Sequence, residues 1–206
     1  MPDVRQTISD FYRVAQERDF SRDFHFRVLS IDAGDAGGIS FDEDDLVYIK
    51  SASLPARSIQ NKQVPYMGLN FNVPGSVNYD GSDGWAVEFY ADQAARLRAK
   101  FESWTFDTFD DSTSTGNYAT PSQASVVNLL QLDAQLNGVA EYKLYGCYCT
   151  SVGAIEYSPS AGSGEPMSFT ATMAYQYWRR EKSSLTGSLR NFTSGIADRV
   201  LGALGL

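Results

Sequence analysis

The sequence is poor in the residue types that most enzymes use for chemistry. Its 206 residues include one histidine, His25, and two cysteines, Cys147 and Cys149. It contains no glycine-rich phosphate-binding motif and no spacing of Cys and His that is typical of a zinc site. Asp110 and Asp111 are adjacent in a polar stretch, where nothing would raise the pKa of one carboxyl for acid catalysis. We therefore predict no catalytic, cofactor-binding or metal-binding residues, and a protein that is not an enzyme.

The histidine and the cysteines are predicted to be structural. His25 lies between Phe24 and Phe26 in a strand-like stretch, and no serine motif accompanies it. Cys147 and Cys149 are two residues apart, so in a strand their side chains share one face. That separation lies near the outer limit of disulfide geometry. Buried or half-buried free thiols are the favoured interpretation.

Long apolar runs and an excess of positive charge are also missing. No run of about eighteen apolar residues is present, so no membrane anchor is predicted. The first twenty residues are charged from the third onward and do not resemble a signal peptide, which predicts a protein that stays in the cytoplasm. Lys and Arg total 17 against 25 Asp and Glu, a net charge of −8, which argues against tight nucleic-acid binding. The hydrophobic content of 43% is enough for a globular core.

The first fifty residues alternate between helical and strand-like patterns. Residues 3–18 have apolar side chains at helical spacing, and residues 24–31 are aromatic and β-branched, which predicts a strand. Residues 32–38 form a glycine-rich turn, and residues 46–50 are predicted to return as the second strand of a hairpin. The acidic run 42–45 lacks the spacing of an EF-hand calcium loop, so a solvated acidic hairpin is favoured.

Residues 51–79 contain three prolines, which are confined to strand edges, bulges and loops. We predict a long connection that ends in a strand near residues 69–73. It carries Arg57 and Lys62, a positive patch on an otherwise acidic chain. Connections of this length in a compact domain are usually functional or mobile.

The stretch WAVEFYADQAARLRAKFESW, residues 85–104, joins a strand to a helix. Trp85, Val87 and Phe89 alternate with other residues and give the strand one apolar face. Asp92 is placed to accept hydrogen bonds from the first free amides of the helix. The apolar stripe of the helix consists of Ala94, Leu97, Phe101 and Trp104. We predict that the last three of these pack the helix against a sheet.

The second half of the chain is mostly strand-like. Residues 105–122 are predicted to be a surface loop, and the apolar run at 124–132 fits either a strand or a short helix. Residues 141–157 contain two strand-like runs. Residues 167–178 are predicted to form one strand with two apolar faces, as in a sandwich or barrel.

The last 28 residues differ from the rest in composition. They begin with charged residues and continue as an amphipathic pattern that four glycines weaken. We predict that its apolar positions contact a partner, and these are Leu189, Phe192, Ile196 and Val200. The predicted organisation is a helical segment at 1–20, a β domain at 21–178 and an amphipathic extension at 179–206.

An ordered series of motifs resembles one family, the tail tube proteins of contractile-tailed, myovirus-type bacteriophages. The likeness extends over about residues 20–178, and no single motif in it is diagnostic. It consists of Phe24, Phe26 and Val28; Ser53, Leu54 and Pro55; Trp85, Val87 and Asp92; Ala95, Lys100, Phe101 and Trp104; the segment from Gly146 to Gly153; and the closing Tyr-Gln-Tyr-Trp at 175–178.

The resemblance implies two packed antiparallel sheets closed by one helix, a mainly β fold with some α. It implies that six subunits form a ring whose inner strands join into one barrel, and that rings stack into a tube inside a contractile sheath. DNA would pass through the lumen without specific binding. Partners would be identical subunits, the sheath protein, and the baseplate and tail-terminator proteins, with the virion tail as location and the host cytoplasm as the place of assembly.

In this family the long segment after Ser53 makes contacts between rings, which maps here to about Leu54–Met67. The residues implied in that contact are Leu54, Pro55, Arg57, Lys62, Val64 and Met67. Two hypotheses follow from charge. The acidic excess would line the bore and repel phosphates, and the Arg57/Lys62 patch would meet the acidic 42–45 turn of the next ring.

Three functions remain open from the sequence. The first is the repeated tube subunit, and the second is a junction, tube-initiating or terminator protein of the same fold, which the C-terminal extension would suit. The third is a monomeric β-sandwich that binds a ligand such as carbohydrate through surface tyrosines and tryptophans. Alternation of those aromatics with apolar residues favours burial in a core or in subunit interfaces.

Overall fold

The computed structural model describes residues 7–34, 36, 38–79, 84–118, 124–158 and 164–182. These residues form three helices and twelve strands in the following order: α1 Ile8–Arg18, β1 Phe26–Asp32, α2 Glu43–Val47, β2 Ile49–Ala52, β3 Arg57–Tyr66, β4 Leu69–Tyr79, β5 Trp85–Tyr90, α3 Arg96–Thr108, β6 Phe109–Asp110, β7 Thr115–Gly116, β8 Val126–Leu132, β9 Gly138–Tyr145, β10 Tyr148–Val152, β11 Ser168–Ala174 and β12 Tyr177–Lys182.

Two four-stranded antiparallel sheets form the body of the protein. Sheet I has the strand order β1-β8-β9-β12, and sheet II has the order β10-β11-β5-β2. Their apolar faces share one core, because alternate residues of β5 and β11 are buried together with those of β1 and β8. The predicted mainly β fold of two packed antiparallel sheets is confirmed, and the sheets form an open sandwich.

Helix α3 closes the core beside sheet II. Leu97, Phe101 and Trp104 are buried on its inner face, at the spacing that the sequence predicts. The Phe101 ring lies 5.0 Å from that of Phe89 and 6.2 Å from that of Phe169, centroid to centroid. Helix α3 begins slightly later than expected, since Ala94 is exposed and precedes the first helical turn.

Asp92 holds the beginning of α3 as predicted. Its carboxylate accepts hydrogen bonds from the backbone amides of Arg96, at 2.9 Å, and Leu97, at 3.3 Å. Two free donors of the first turn are thereby satisfied. This fixes the junction between β5 and α3 and so places the helix on the sheet.

Helix α1 confirms the helical pattern near the N-terminus, and none of its residues is buried. Thr7 caps it by accepting a hydrogen bond from the amide of Asp10, whose carboxylate accepts one in return from the amide of Thr7. Ile8, Phe11 and Tyr12 are exposed on one side.

The predicted hairpin between residues 24–31 and 46–50 is wrong. Strand β1 pairs with β8 in sheet I, whereas β2 pairs with β5 in sheet II. The acidic run that was expected to be a hairpin turn begins helix α2 instead. Asp42 and Asp45 form its first turn, where the Asp42 amide donates to the Asp45 carboxylate at 2.8 Å.

The predicted single strand at 167–178 is also wrong, because the chain changes sheets within it. β11 ends at Ala174 in sheet II, and β12 begins at Tyr177 in sheet I, where it pairs with β9. Between them, the Gln176 amide donates a hydrogen bond to the Tyr145 carbonyl at 2.9 Å. Strand β12 continues to Lys182, four residues into the stretch that the sequence analysis assigned to the C-terminal extension.

Other sequence predictions are confirmed or decided. The ambiguous run at 124–132 forms strand β8, and the two runs at 141–157 form β9 and β10. Cys147 and Cys149 are buried free thiols, and burial raises the pKa of each to about 12. His25 is buried just before β1, where its Nδ1 accepts a hydrogen bond from the amide of Arg22.

The predicted loop at 105–122 is more regular than expected, since α3 extends to Thr108 and the short strands β6 and β7 follow it. The amphipathic positions Leu189, Phe192, Ile196 and Val200 lie outside the described residues. Residues 80–83 and 159–163 also lie outside them. In the described part of the chain, no helix combines the length and apolar character of a membrane span.

The position of Phe101 predicts that Phe101→Ala destabilises the fold strongly. The side chain is fully buried among aromatic rings, and its removal should lower the free energy of unfolding by about 3–5 kcal/mol. Denaturant titration of the purified protein measures this. Phe106→Ala, on the same helix at 55% exposure, is the matched control and should change the value by about 0.5 kcal/mol or less. Equal losses in the two variants would contradict the packing described for α3.

Candidate assembly surface

Residues 57–79 form a long β-hairpin that projects from the sandwich, in place of the irregular connection predicted from sequence. β3 and β4 pair from Arg57 with Tyr79 at one end to Tyr66 with Leu69 at the other. Ten residues of strand correspond to about 33 Å. All of β3, and all of β4 except Tyr79, is exposed. A two-stranded hairpin of this kind is marginal in water unless it packs against something else.

A tight turn sets the tip of the hairpin. Met67 and Gly68 connect the strands with φ angles of 48° and 78°. Positive φ at both central residues is the geometry of a type I′ turn, whose twist matches that of paired strands. Met67, at 84% exposure, is the most exposed of the large apolar side chains in the described residues.

The distal half of the hairpin has two chemically different faces. Cross-strand pairs place apolar side chains together on one face, which we call the apolar face: Val64, Tyr66, Leu69, Phe71 and Val73. The opposite face holds Asn61, Gln63, Pro65, Asn70, Asn72 and Pro74. Every member of the apolar face is at least 39% exposed. Contiguous apolar surface of this kind marks an interaction site in soluble proteins.

The root of the hairpin is fixed by two tryptophans, one from each sheet. The indole Nε1 of Trp85 in β5 donates to the Ser53 carbonyl at 2.7 Å, and that of Trp178 in β12 donates to the Ala56 carbonyl at 3.0 Å. The Tyr79 ring, at the end of β4, packs edge-to-face on Trp178 at 6.4 Å. The direction of the hairpin is therefore set by the body of the subunit.

Five of the six residues implied in ring-to-ring contacts are exposed on or near this hairpin. Leu54 lies just before β3; Arg57, Lys62 and Val64 lie on β3; and Met67 is at the tip. Pro55 is buried, so it does not belong to the exposed surface. Sequence reasoning missed Tyr66, Leu69, Phe71 and Val73, although they alternate on either side of the Met-Gly turn.

Charge on the hairpin and on α2 is complementary. Arg57 and Lys62 are the only charged residues of β3 and β4, and neither makes an ion pair within the described residues. Two acids at the start of α2 are close to a lysine of α3. Lys100 Nζ lies 2.6 Å from Asp45 and 3.4 Å from Asp42. Glu43 and Asp44 are exposed. Helix α2 thus presents two exposed carboxylates in addition to the two that lie near Lys100.

The sheets have open edges as well. Sheet I ends at β1 and β12, and sheet II ends at β10 and β2. Edge strands present unpaired amides and carbonyls, which pair readily with a strand of another chain.

Among the described residues, no three His, Cys, Asp or Glu side chains converge as a metal site would require.

Comparison with known proteins agrees with that description. Residues 15–181 match the phage tail tube protein family. Because the match extends over most of the sequence, the chain belongs to this family, whose members are structural components of virion tails. No curated protein is a significant match to the sequence.

Solved structures with a similar fold come from contractile injection systems. One is the tube-terminating cap of the anti-feeding prophage, with a TM-score of 0.54 and 11% identity over 80% of this chain and 92% of that one. Another is a chain of the sheath–tube complex of the PVC extracellular contractile injection system in its extended state. Its TM-score is 0.52, and its identity is 10% over 87% of this chain and 100% of that one. At identities of 10–11%, the similarity to these structures shows a shared fold and nothing further.

The contact between Lys100 and α2 predicts a local effect of Lys100→Ala. Without the ammonium group, the first turn of α2 loses its tie to α3, so amides at 43–48 should exchange with deuterium faster. Global stability should fall by only about 1 kcal/mol or less, since the pair is partly exposed. Lys62→Ala is the control and should leave exchange at 43–48 unchanged.

The same contact should depend on pH at the alkaline end. The hydrogen bond to Asp45 raises the pKa of Lys100 above its ordinary value of 10.5. The stabilisation is therefore fully present below about pH 10.5 and is lost as the pH rises through the raised pKa. Exchange at 43–48 that did not respond to Lys100→Ala would contradict this role.

Proposed function

We propose that the chain is the repeated subunit of a contractile phage tail tube, in which six copies form a ring, rings stack, and the lumen conducts DNA into the host. The observation that carries this proposal is the exposed apolar face of a hairpin whose root is fixed to both sheets. Exposure of such an apolar surface to water does not stabilise a single subunit. Repetition of the subunit buries it.

Two kinds of contact support a closed, stacked assembly. Within a ring, the open edges of the sheets extend by strand pairing with the neighbouring subunit. Between rings, the apolar face of the hairpin packs on the next subunit while Arg57 and Lys62 approach Glu43 and Asp44. The role is mechanical and requires no catalytic group.

The surrounding partners in this proposal are a contractile sheath, a baseplate and a tube terminator. Similar folds occur in the sheath–tube complex and in the sheath/tube terminator of the PVC system, the latter with a TM-score of 0.52. Because a tube-terminating cap and a chain of a sheath–tube complex share the fold, a junction or terminator role is the second candidate. Copy number in the assembled tail separates the two: a tube subunit is present in many rings and a terminator in one.

Electron microscopy of two neighbouring substitutions tests the assembly. Phe71→Asp places a charge on the apolar face, and we expect it to abolish tubes that the unmodified protein forms. Asn72→Asp adds the same charge one residue away on the opposite face and should leave tubes intact. Both residues are exposed, so unfolding free energies should change by about 0.5 kcal/mol or less. Monodisperse monomers of the unmodified protein at every concentration would overturn the proposed function.

Charge reversal tests the contact between hairpin and α2. Arg57→Glu should weaken tube growth while leaving the subunit folded, because the new carboxylate faces Glu43 and Asp44 of the next ring. A loss of about 1 kcal/mol per contact corresponds to a roughly fivefold higher concentration for growth, less at high salt. Restoration by the second substitution Asp44→Lys is expected. Normal growth of Arg57→Glu tubes at low salt would refute the pairing.

A further inference from the structure

Helix α1 carries a second apolar surface, separate from the hairpin. Positions one helical turn apart form this surface, which we call the α1 stripe: Ile8, Phe11, Tyr12 and Ala15. Its three large side chains are each at least 61% exposed, and the exposed Phe20 ring stacks on that of Phe11 at 6.0 Å. Helices shorter than about 12–15 residues are marginal in water on their own, and α1 has 11. The helix is therefore expected to pack its stripe against another segment.

The connection from α1 to β1 holds the helix near one end of sheet I. The Asp19 amide donates to the Ala15 carbonyl at 3.0 Å, and the Arg22 guanidinium lies 3.4 Å from the Asp19 carboxylate. The Arg22 amide donates to Nδ1 of the buried His25 at 3.3 Å. The His25 carbonyl accepts in turn from the amide of Leu132, the last residue of β8, at 3.0 Å. Helix α1 is thus tied to the end of sheet I at which β1 begins.

The register of sheet I brings the end of β12 to the same end of the sheet. Phe26 pairs with Gln131, Gln131 with Ala140, and Ala140 with Lys182, so these four residues form one row. The first and last strands of the row are three inter-strand spacings apart, about 14 Å. The chain therefore enters sheet I after α1 and leaves it after Lys182 at neighbouring points. The hairpin root, fixed by Trp178, lies toward the other end of β12.

The sequence after Lys182 matches the α1 stripe in spacing. The stripe has intervals of three and four residues, and the same intervals recur at Leu189, Phe192 and Ile196. About four extended residues cover 14 Å, so residues 183–186 can cross to α1 and leave these positions within reach. A short tether of this kind gives an effective concentration in the millimolar range, which favours this segment over a second copy of the chain. Residues 1–14 and 182–206 lie outside the family match, which assigns them no role.

We propose that the segment after Lys182 packs its apolar side chains on the α1 stripe of the same chain. The inference goes beyond the proposed function and does not depend on it, because the contact lies within one chain. It identifies α1 as the partner of the positions for which the sequence predicts a contact: Leu189, Phe192, Ile196 and Val200. The contact removes the second apolar surface from water and leaves the hairpin as the apolar surface for association.

Hydrogen exchange of α1 in the full-length protein tests this contact. Phe192→Asp places a charge among the apolar positions, and we expect the amides of residues 11–18 to exchange about tenfold faster or more. Asn191→Asp adds the same charge one residue away, outside the apolar intervals, and should leave the rate unchanged. A chain that ends at Lys182 should behave as Phe192→Asp does. The amides of β8 report whether each variant keeps its folded body.

The reciprocal substitution and dilution complete the test. Phe11→Asp disrupts the contact from the other side and should accelerate exchange at residues 189–200 by a similar factor. Protection of α1 should not change on dilution by about a hundredfold, because a contact within one chain is independent of concentration. Equal α1 exchange in the unmodified protein, Phe192→Asp and the shortened chain would overturn the inference. Protection lost on dilution would also overturn it and would show that a second copy covers α1.

Discussion

An apolar hairpin that the subunit does not bury is the constraint on which the rest of the structure depends. Its apolar face is exposed from Val64 to Val73. Burial of this face against another surface is favourable, because it removes apolar area from water. The two indole hydrogen bonds at the root make this surface directional, since Trp85 and Trp178 belong to different sheets. The sandwich, through β5 and β12, is the base that positions it.

Much of the sandwich follows from local sequence pattern, and the errors have a common physical origin. Strict alternation in Trp85, Val87 and Phe89, and three-and-four spacing in Leu97, Phe101 and Trp104, each require one buried face, so both were predictable. Alternation does not indicate which sheet a strand joins. Residues 167–178 keep one apolar face while passing from sheet II to sheet I, because both sheets point their apolar faces at the same core.

The assembly surface was harder to predict, because the hairpin violates the usual rules for a strand. Prolines such as Pro65 and Pro74 argue against a strand in the interior of a sheet and favour a loop. Both are tolerated in a two-stranded ribbon, because each strand there has a free edge. The signal that remained was the dipeptide Met67-Gly68 between alternating apolar residues. Pairing of β2 with β5 instead of β1 depends on contacts distant in sequence, which no local pattern contains.

The proposed contact between the basic hairpin and the acidic helix α2 has a consequence for how assembly would start and stop. A contact in which one surface inserts and a different surface receives is heterologous, and it leaves one of each unused at the two extremities of a stack. Such a filament is polar. In the proposed tube, the protein that begins the stack would therefore present the opposite chemistry from the protein that ends it, and neither would substitute for the other.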